Sequence, residues 1–461
     1  MGPGPDRAFD GFVYMRTSAP PLILVLALLA IFAAGCERPF IDVSSPRIEV
    51  VGPDPLVIQH QAEITLVVNA TSFRSVNRVE LGGAPLVQSG SGEWSIPVTL
   101  TAGLNRLLVE AFDSDDVAQV DTINYLLMEA SSEVLAQTWS TPRGGHTATV
   151  LNLGDILIAG GSGSTSEPAS DHVFVLPAGS GNMLRADVDL IHPRTGHTAS
   201  ALPDGRILFA GGSSVPVVSA VSDLVETPEV YDPAAGTMTP LVVSGPPIRR
   251  AFHTATVLST PQGPIITLLG GTGDVSYVPQ PELGIRRDIR SFLLVGDSLE
   301  ALSPAVGPFI ELLTGHSQTE LASQPPGVAS RQLVTGAIFI DSGVEAHAFI
   351  LDPRSSLGLL FEDIPSPRIF RTEHAAVLVG LGRVIRIGGL TGHNTPPVGS
   401  VDLFEDTLEA FLEIDPDGPV NLLPRFLHTA TNSGNGRILI MGGFGEDGTA
   451  MGTMEYLVFD L

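Results

Sequence analysis

Lysine is absent from this 461-residue sequence: all 24 basic residues are arginine, against 50 acidic residues, which gives a net charge of −26. The absence excludes a Schiff-base lysine and the lysine of a phosphate-binding loop. The shortage of positive charge also argues against nucleic acids and anionic membrane surfaces as partners, because both are bound through basic patches.

Cysteine and charged residues are scarce as well. A single cysteine excludes an intramolecular disulfide framework, and charged residues make up 16% of the chain where about 25% is usual. Fifty glycines and 37 prolines provide frequent turns. This composition indicates many short strands packed on both faces, and it argues against helical bundles and disorder.

The single cysteine, Cys36, ends a segment typical of an export signal. Arg16 precedes an apolar run at 22–32 and small residues at 33–35, and the run is too short for a transmembrane helix. The stretch AAGC resembles the lipobox of bacterial lipoproteins, although alanine stands where leucine is commoner. This resemblance implies that residues 1–35 are a signal peptide and that Cys36 is lipidated. An ordinary signal peptide that contains a cysteine is the alternative.

Residues 36–46 read as a short tether behind the lipidated cysteine. Glu37 follows the cysteine, and by the enterobacterial sorting rule it favours the outer membrane over the inner one. We therefore expect a lipid-anchored protein of the bacterial cell envelope, on its periplasmic or its surface face.

Residues 47–130 alternate apolar and polar positions in short runs separated by turns, which predicts a small β-sandwich. The stretch 101–116, TAGLNRLLVEAFDSDD, resembles the late hairpin of bacterial immunoglobulin-like domains and implies that fold. At its end, Asp113, Asp115 and Asp116 have the clustered carboxylates that calcium needs. The alternative for these three residues is a solvated turn.

Residues 131–461 contain five copies of one pattern: arginine, histidine three positions later, an apolar strand and a glycine pair. RTGHTASALPDGRILFAGG at 194–212 is one of them. Such self-similarity is the sequence signature of a repeat architecture. The repeated residues are Arg143 and His146, Arg194 and His197, Arg250 and His253, Arg371 and His374, and Arg425 and His428.

A third strand follows most copies, a fourth is plausible, and the unit is about 50 residues long. The pattern strongly resembles bacterial kelch repeats, which implies a kelch-type β-propeller. A degenerate unit with Arg331 at the arginine position and Val334 at the histidine position brings the count to six blades; five or seven are the alternatives. The stretch VLAQTWS at 134–140 is expected to close the ring against the C-terminal blade, with Trp139 on that strand.

The repeated histidines and arginines occupy equivalent positions, so a role in the packing of each blade explains all copies. A metal held by histidines of several blades is the alternative. The sequence has no G-x-S-x-G and no HExxH motif. Galactose oxidases share the kelch propeller but need a cysteine crosslinked to tyrosine beside copper, and the only cysteine here lies in the signal. We expect no catalytic residue and no cofactor, apart from the calcium alternative.

The residue before each histidine differs between copies, although the position is equivalent. In kelch propellers these strand starts lie near the rim of the channel, where partners dock. We therefore predict that Phe252, Glu373 and Leu427 are exposed binding residues.

Together these features predict a non-enzymatic envelope lipoprotein whose propeller binds an envelope protein or glycan. The alternative is a periplasmic or surface enzyme acting on carbohydrate, epimerase-like or lyase-like. The fold by itself decides neither.

Overall fold

The computed structural model describes residues 45–90, 92–274, 283–286, 288–302, 314–322, 330–340, 343–352, 360–380, 382–392, 395–414 and 418–460. Throughout these ranges the protein is all-β, with one 3-10 turn at Val221–Asp223 and no α-helix. No helix in the described residues is long and apolar enough to cross a membrane. The predicted lipidation site, Cys36, and most of the predicted tether lie outside the described residues.

The N-terminal region consists of two four-stranded antiparallel sheets, with strand orders β1-β3-β7-β6 and β5-β4-β8-β9. Their inward-facing residues form one core, which includes Leu66, Val68, Trp94, Val109 and Tyr125. The strands are β1 (Arg47–Gly52), β2 (Val57–Ile58), β3 (Glu63–Thr71), β4 (Val76–Leu81), β5 (Ala84–Pro85), β6 (Val87–Gln88), β7 (Glu93–Thr99), β8 (Gly103–Asp113) and β9 (Ala118–Leu127).

Six further sheets of four or five strands, and one small three-stranded sheet, follow along the described part of the chain. The first and second sheets are each built from four consecutive antiparallel strands in sequence order. The strands up to the end of the second sheet are β10 (Glu129–Thr138), β11 (Thr147–Val150), β12 (Ile156–Ala159), β13 (Val173–Leu176), β14 (Leu184–Arg185), β15 (Thr198–Ala201), β16 (Ile207–Ala210), β17 (Glu229–Asp232) and β18 (Thr237–Pro240).

The third sheet has the order β21-β22-β25-β26, with β19 added in parallel to β26, and β20, β23 and β24 form a small sheet beside it. The fourth sheet has the order β27-β28-β29-β30. These strands are β19 (Val242–Ser244), β20 (Arg250–Ala251), β21 (Thr254–Leu258), β22 (Ile265–Leu269), β23 (Thr272–Asp274), β24 (Leu283–Ile285), β25 (Ile289–Val295), β26 (Ser298–Ala301), β27 (Ser317–Glu320), β28 (Gln332–Ile340), β29 (Gly343–Asp352) and β30 (Leu360–Asp363).

The fifth sheet contains β31 to β34, and β2 of the N-terminal region extends it in parallel. The sixth sheet joins both ends of this part of the chain, because β10 pairs antiparallel with the last strand, β37. The predicted pairing of the segment before the first repeat with the C-terminal sheet is confirmed at Val134 and Thr138, but Trp139 lies one position beyond the end of β10. The remaining strands are β31 (Ala375–Gly380), β32 (Arg383–Ile387), β33 (Val401–Glu405), β34 (Ala410–Ile414), β35 (Thr429–Gly434), β36 (Arg437–Met441) and β37 (Thr453–Asp460).

The six sheets follow one another in a closed order. Their first strands contact in the cycle β11, β15, β21, β27, β31, β35 and back to β11. The second strands of the first two sheets, ILIA of β12 and ILFA of β16, are buried along their whole length. Such strands are continuously apolar because both faces of the sheet are covered by neighbours.

Candidate functional site

Each repeated arginine is buried and holds its own sheet together. In all five, Nη1 donates to the carbonyl oxygen of the first glycine of the following pair, at 3.0 to 3.2 Å. The glycine pair also forms a backbone hydrogen bond to the next sheet. The N–H of Gly161, for example, donates to the carbonyl of Arg194 at 2.9 Å. A Cβ on Gly160 would lie 2.4 Å from that carbonyl, so the position requires glycine.

A carboxylate neutralises four of the five arginines. The pairs are Arg194 with Glu229, Arg250 with Asp288, Arg371 with Asp402, and Arg425 with Glu455. Arg143 differs, because Phe174 stands at the strand position that Glu229 occupies in the second sheet. The Arg143 guanidinium lies 5.1 Å from the centre of the Phe174 ring and 5.4 Å from that of Trp139, as in cation–π contacts. Burial lowers the pKa of Arg143 to about 10.

The buried histidines link neighbouring sheets. In five sheets the histidine Nε2 lies within hydrogen-bond distance of a hydroxyl oxygen on the first strand of the preceding sheet. The pairs are His146 with Thr429 (3.0 Å), His197 with Thr147 (3.1 Å), His253 with Thr198 (3.3 Å), His316 with Thr254 (2.9 Å) and His374 with Ser317 (2.8 Å). The sixth histidine, His428, lacks such a partner because Ala375 stands where the others have a hydroxyl.

All six imidazoles have a pKa below the ordinary range. Burial is the main cause, and for five of them nearby positive charge adds to it, mainly from the arginine of the same repeat and, at His374, first from Arg386. The pKa of His146 and of His316 falls to about 3. Neutral imidazoles used in inter-sheet hydrogen bonds serve packing, and no group of three or more metal-ligating side chains is found among the described residues.

His316 is a sixth copy that the sequence analysis missed, and the assignments of Arg331 and Val334 to the arginine and histidine positions were wrong. Val334 lies on β28, the second strand of the fourth sheet, and pairs with Gln318 on β27. His316 directly precedes β27, as the other histidines precede or open their first strands. The motif TGH at 314–316, identical to 195–197, was the available signal. The degenerate region therefore has four paired strands.

The residues before the six histidines form one closed hydrogen-bonded ring, here called the central ring. Each backbone N–H donates to the carbonyl oxygen of the preceding member, at 2.6 to 3.2 Å, and the first member donates to the last. The members are Gly145, Gly196, Phe252, Gly315, Glu373 and Leu427.

All six members have the left-handed backbone conformation, with φ between 51° and 67°. Glycine adopts it freely, whereas an L side chain costs roughly 1–2 kcal/mol there. The three members that carry a side chain, Phe252, Glu373 and Leu427, are the three predicted binding residues. Strained residues of this kind cluster at functional sites.

The central ring and the six histidines line a cavity of about 140 Å³. The three predicted residues are half-buried in it, not exposed as the sequence analysis expected. For Phe252 and Glu373 the reason is that the side chain leans over a neighbouring glycine: a Cβ on Gly196 would lie 2.7 Å from the Phe252 ring, and one on Gly315 would lie 3.0 Å from Cγ of Glu373.

Glu373 is the acidic residue of this cavity. Burial raises the pKa of its carboxyl group to about 7, and no hydrogen bond or neighbouring charge within the described ranges offsets the shift. At neutral pH the group is therefore divided between its protonated and ionised forms.

The predicted calcium residues lie at the end of the β8–β9 hairpin. Oδ1 of Asp113 accepts the backbone N–H groups of Asp115 and Val117, as in an Asx turn. Asp115 pairs with Arg74, and Asp116 pairs with Arg78 at 2.6 Å. These carboxylates are thus engaged by the protein itself, and calcium binding there stays a prediction.

No protein-family model matches the chain, and no curated protein matches it. Among solved structures it is similar to a fungal alcohol oxidase of the AA5 family in complex with copper, at 16% identity and a TM-score of 0.45. The likeness covers 89% of this chain and 75% of the other. A likeness of this extent carries no argument about function.

Proposed function

We propose that the six sheets are the blades of a kelch-type β-propeller and that the N-terminal sheets are an immunoglobulin-like sandwich. Four-stranded sheets in closed order, with one strand supplied from the opposite end of the domain, support the propeller. The repeated arginine, histidine and glycine pair support the kelch type.

We further propose that the protein is a bacterial envelope lipoprotein anchored through Cys36, with the outer membrane favoured. The lipobox-like AAGC supports this, as does the order of signal, tether, spacer domain and repeat domain along the chain. Several acyl chains on one cysteine would hold it on a membrane, because each buried methylene contributes about 0.8 kcal/mol.

The propeller in this proposal is a non-enzymatic scaffold that binds an envelope partner at the central cavity. One observation carries this proposal. At three of the six equivalent positions a residue with a side chain lines the cavity despite its left-handed backbone, whereas the other three positions are glycine. A purely structural ring would gain stability from glycine at all six positions. The retained side chains are therefore best explained by what they contact.

The chemistry of the cavity favours binding over catalysis. General acid–base catalysis on a glycoside needs two carboxyl groups, and the lining includes one, that of Glu373. The imidazole Nε2 atoms, which would serve as a base, are engaged with hydroxyl groups in five of six sheets. A carbohydrate-active enzyme remains the alternative.

The test is capture of envelope components by the full-length, detergent-solubilised protein. The variant Phe252→Gly with Leu427→Gly should retain a specific partner about tenfold less well, because two anchors are lost. Glycine should keep the variant folded, since relief of backbone strain offsets the lost contacts. Its urea midpoint should therefore stay close to that of the parent.

The matched control is Glu409→Gly, which relieves the same backbone conformation (φ 49°) at an exposed turn that does not line the cavity. Equal retention by all three proteins would contradict a binding role for the cavity. A captured carbohydrate that is released chemically altered would favour the enzyme alternative.

A further inference from the structure

The lining of the central cavity is chemically one-sided. It contains the carboxyl group of Glu373, the aromatic ring of Phe252 and the apolar side chain of Leu427. The cavity, at about 140 Å³, is smaller than the roughly 300–1,000 Å³ of pockets for whole small-molecule ligands. It has the size for one inserted side chain and not for an oligosaccharide.

The floor of the cavity offers acceptors and no free backbone donor. All six N–H groups of the central ring are used within the ring, and each carbonyl oxygen accepts one of them. The carbonyl oxygen of Gly145 also accepts from Oγ1 of Thr195, and the other five keep a second lone pair. An anionic group would therefore find a carboxyl group and carbonyl oxygens but no amide to bind it. A cation would find a carboxylate, carbonyl oxygens and an aromatic ring, which are its three common partners in proteins.

The charge of the whole protein has the same sign. With 50 acidic and 24 basic residues, it attracts basic partners and speeds their encounter. Among the lining groups that titrate, the six imidazoles have a pKa well below the ordinary range, so they stay neutral near pH 7 and do not repel a cation.

We propose that the central cavity receives the tip of a basic side chain of a partner protein, an ammonium or guanidinium group on an apolar stem. Glu373 binds the cation, and Phe252 and Leu427 pack against the stem. This inference rests on the proposed binding function of the cavity and specifies its ligand. It also predicts that binding strengthens as the pH rises, because the carboxylate is the form that pairs with a cation.

The experiment uses three probes on the full-length protein: n-butylammonium, n-butylguanidinium and the uncharged n-butanol. Binding is followed through the ¹³C-methyl signals of Leu427, which lines the cavity. We expect saturable shifts with both cations and about tenfold or weaker binding of butanol. From pH 6 to pH 8 the affinity for butylammonium should rise about tenfold, as a carboxyl group of pKa about 7 passes from about one-tenth to about nine-tenths ionised.

Two variants separate the outcomes. Glu373→Gln should remove both the preference for cations and the pH dependence, while Glu409→Gln, at an exposed turn, should change neither. Equal binding of butanol and butylammonium would overturn the cation inference and leave the cavity as an apolar binding site. No shift at Leu427 with any probe would overturn the inference and the proposed binding site together.

Discussion

Two adjacent residues of each repeat differ in what they do. The histidine is the same in all six sheets, is buried, and in five sheets bonds a hydroxyl group on the neighbouring sheet. The residue before it is Gly, Gly, Phe, Gly, Glu or Leu, and its side chain, where present, faces the central cavity.

The difference shows where this architecture permits variation. A histidine makes contacts on two sheets, so changing it disturbs both. The preceding residue contributes its backbone to the central ring, and any residue can supply an N–H and a carbonyl. Its side chain is therefore free to vary, at the cost of the left-handed conformation.

The first prediction concerns acid, and its expected effect is the largest. The folded-state pKa of His146 and His316 is about 3, below the ordinary 6.5, so the unfolded chain binds more protons below pH 6.5. The stability from these imidazoles is complete above pH 6.5 and is lost as the pH falls towards 3, by about 1.4 kcal/mol per pH unit and imidazole. The region of the six sheets should therefore lose several kcal/mol of unfolding free energy between pH 7 and pH 4.5.

The two tryptophans allow this loss to be assigned. The ring centre of Trp139 lies 5.2 Å from that of His146, whereas Trp94 lies in the core of the N-terminal sheets. In Trp94→Phe the remaining Trp139 reports urea unfolding of the six-sheet region, and its urea midpoint should fall in acid. In Trp139→Phe the remaining Trp94 reports unfolding of the N-terminal sheets, and its urea midpoint should change little. Glu373 has the opposite effect on stability. Because its pKa is raised, it stabilises the fold below pH 4.5, and this contribution is lost as the pH rises through 7. Glu373→Gln should therefore make the fall of unfolding free energy with acid steeper. An acid response shared equally by both reporters would contradict this assignment.

How much of this was predictable depends on what kind of information carried each feature. The five arginine–histidine copies and the closing strand were readable because they depend on residue identity and spacing. The fourth sheet was misaligned because Leu313 replaces the arginine and Gly336 is followed by Ala337, so only TGH at 314–316 remained. The central ring was not predictable, because residue identity does not reveal a left-handed backbone at Phe252 or Leu427.

The second prediction tests the arginines, which hold the constant part of the repeat. Arg425→Met should cost roughly 3–5 kcal/mol, because Glu455 is left buried without its partner. Arg143→Met should cost less, about 2–3 kcal/mol, since aromatic contacts and one buried hydrogen bond are lost but no charge is stranded. Urea denaturation gives both values. The double variant Arg425→Met with Glu455→Leu should recover part of the lost unfolding free energy. Equal costs for the two single variants would argue against the ion pair as the cause of the difference.

The third prediction addresses the one histidine without a hydroxyl partner, and its effect is the smallest. Ala375→Ser should supply the missing hydroxyl to His428 and raise the free energy of unfolding by about 1 kcal/mol. Thr429→Ala is the matched reverse, since it removes the hydroxyl at Nε2 of His146 and should cost about 1–2 kcal/mol. The melting temperature should rise in Ala375→Ser and fall in Thr429→Ala. Shifts of the same sign would show that the hydroxyl group at this position does not determine the stability.

The closed central ring has a further electrostatic consequence. Each peptide unit carries a dipole of about 3.5 D, and in a helix these dipoles align and place partial charge at the ends. Around this ring the N–H to carbonyl bonds all run in one rotational sense, so their in-plane dipoles nearly cancel. The ring as a whole thus has almost no net in-plane dipole, and its carbonyl oxygens act only on a group in direct contact with them. The sign of charge accepted there is set by single side chains, and one substitution at Glu373 would be enough to change it.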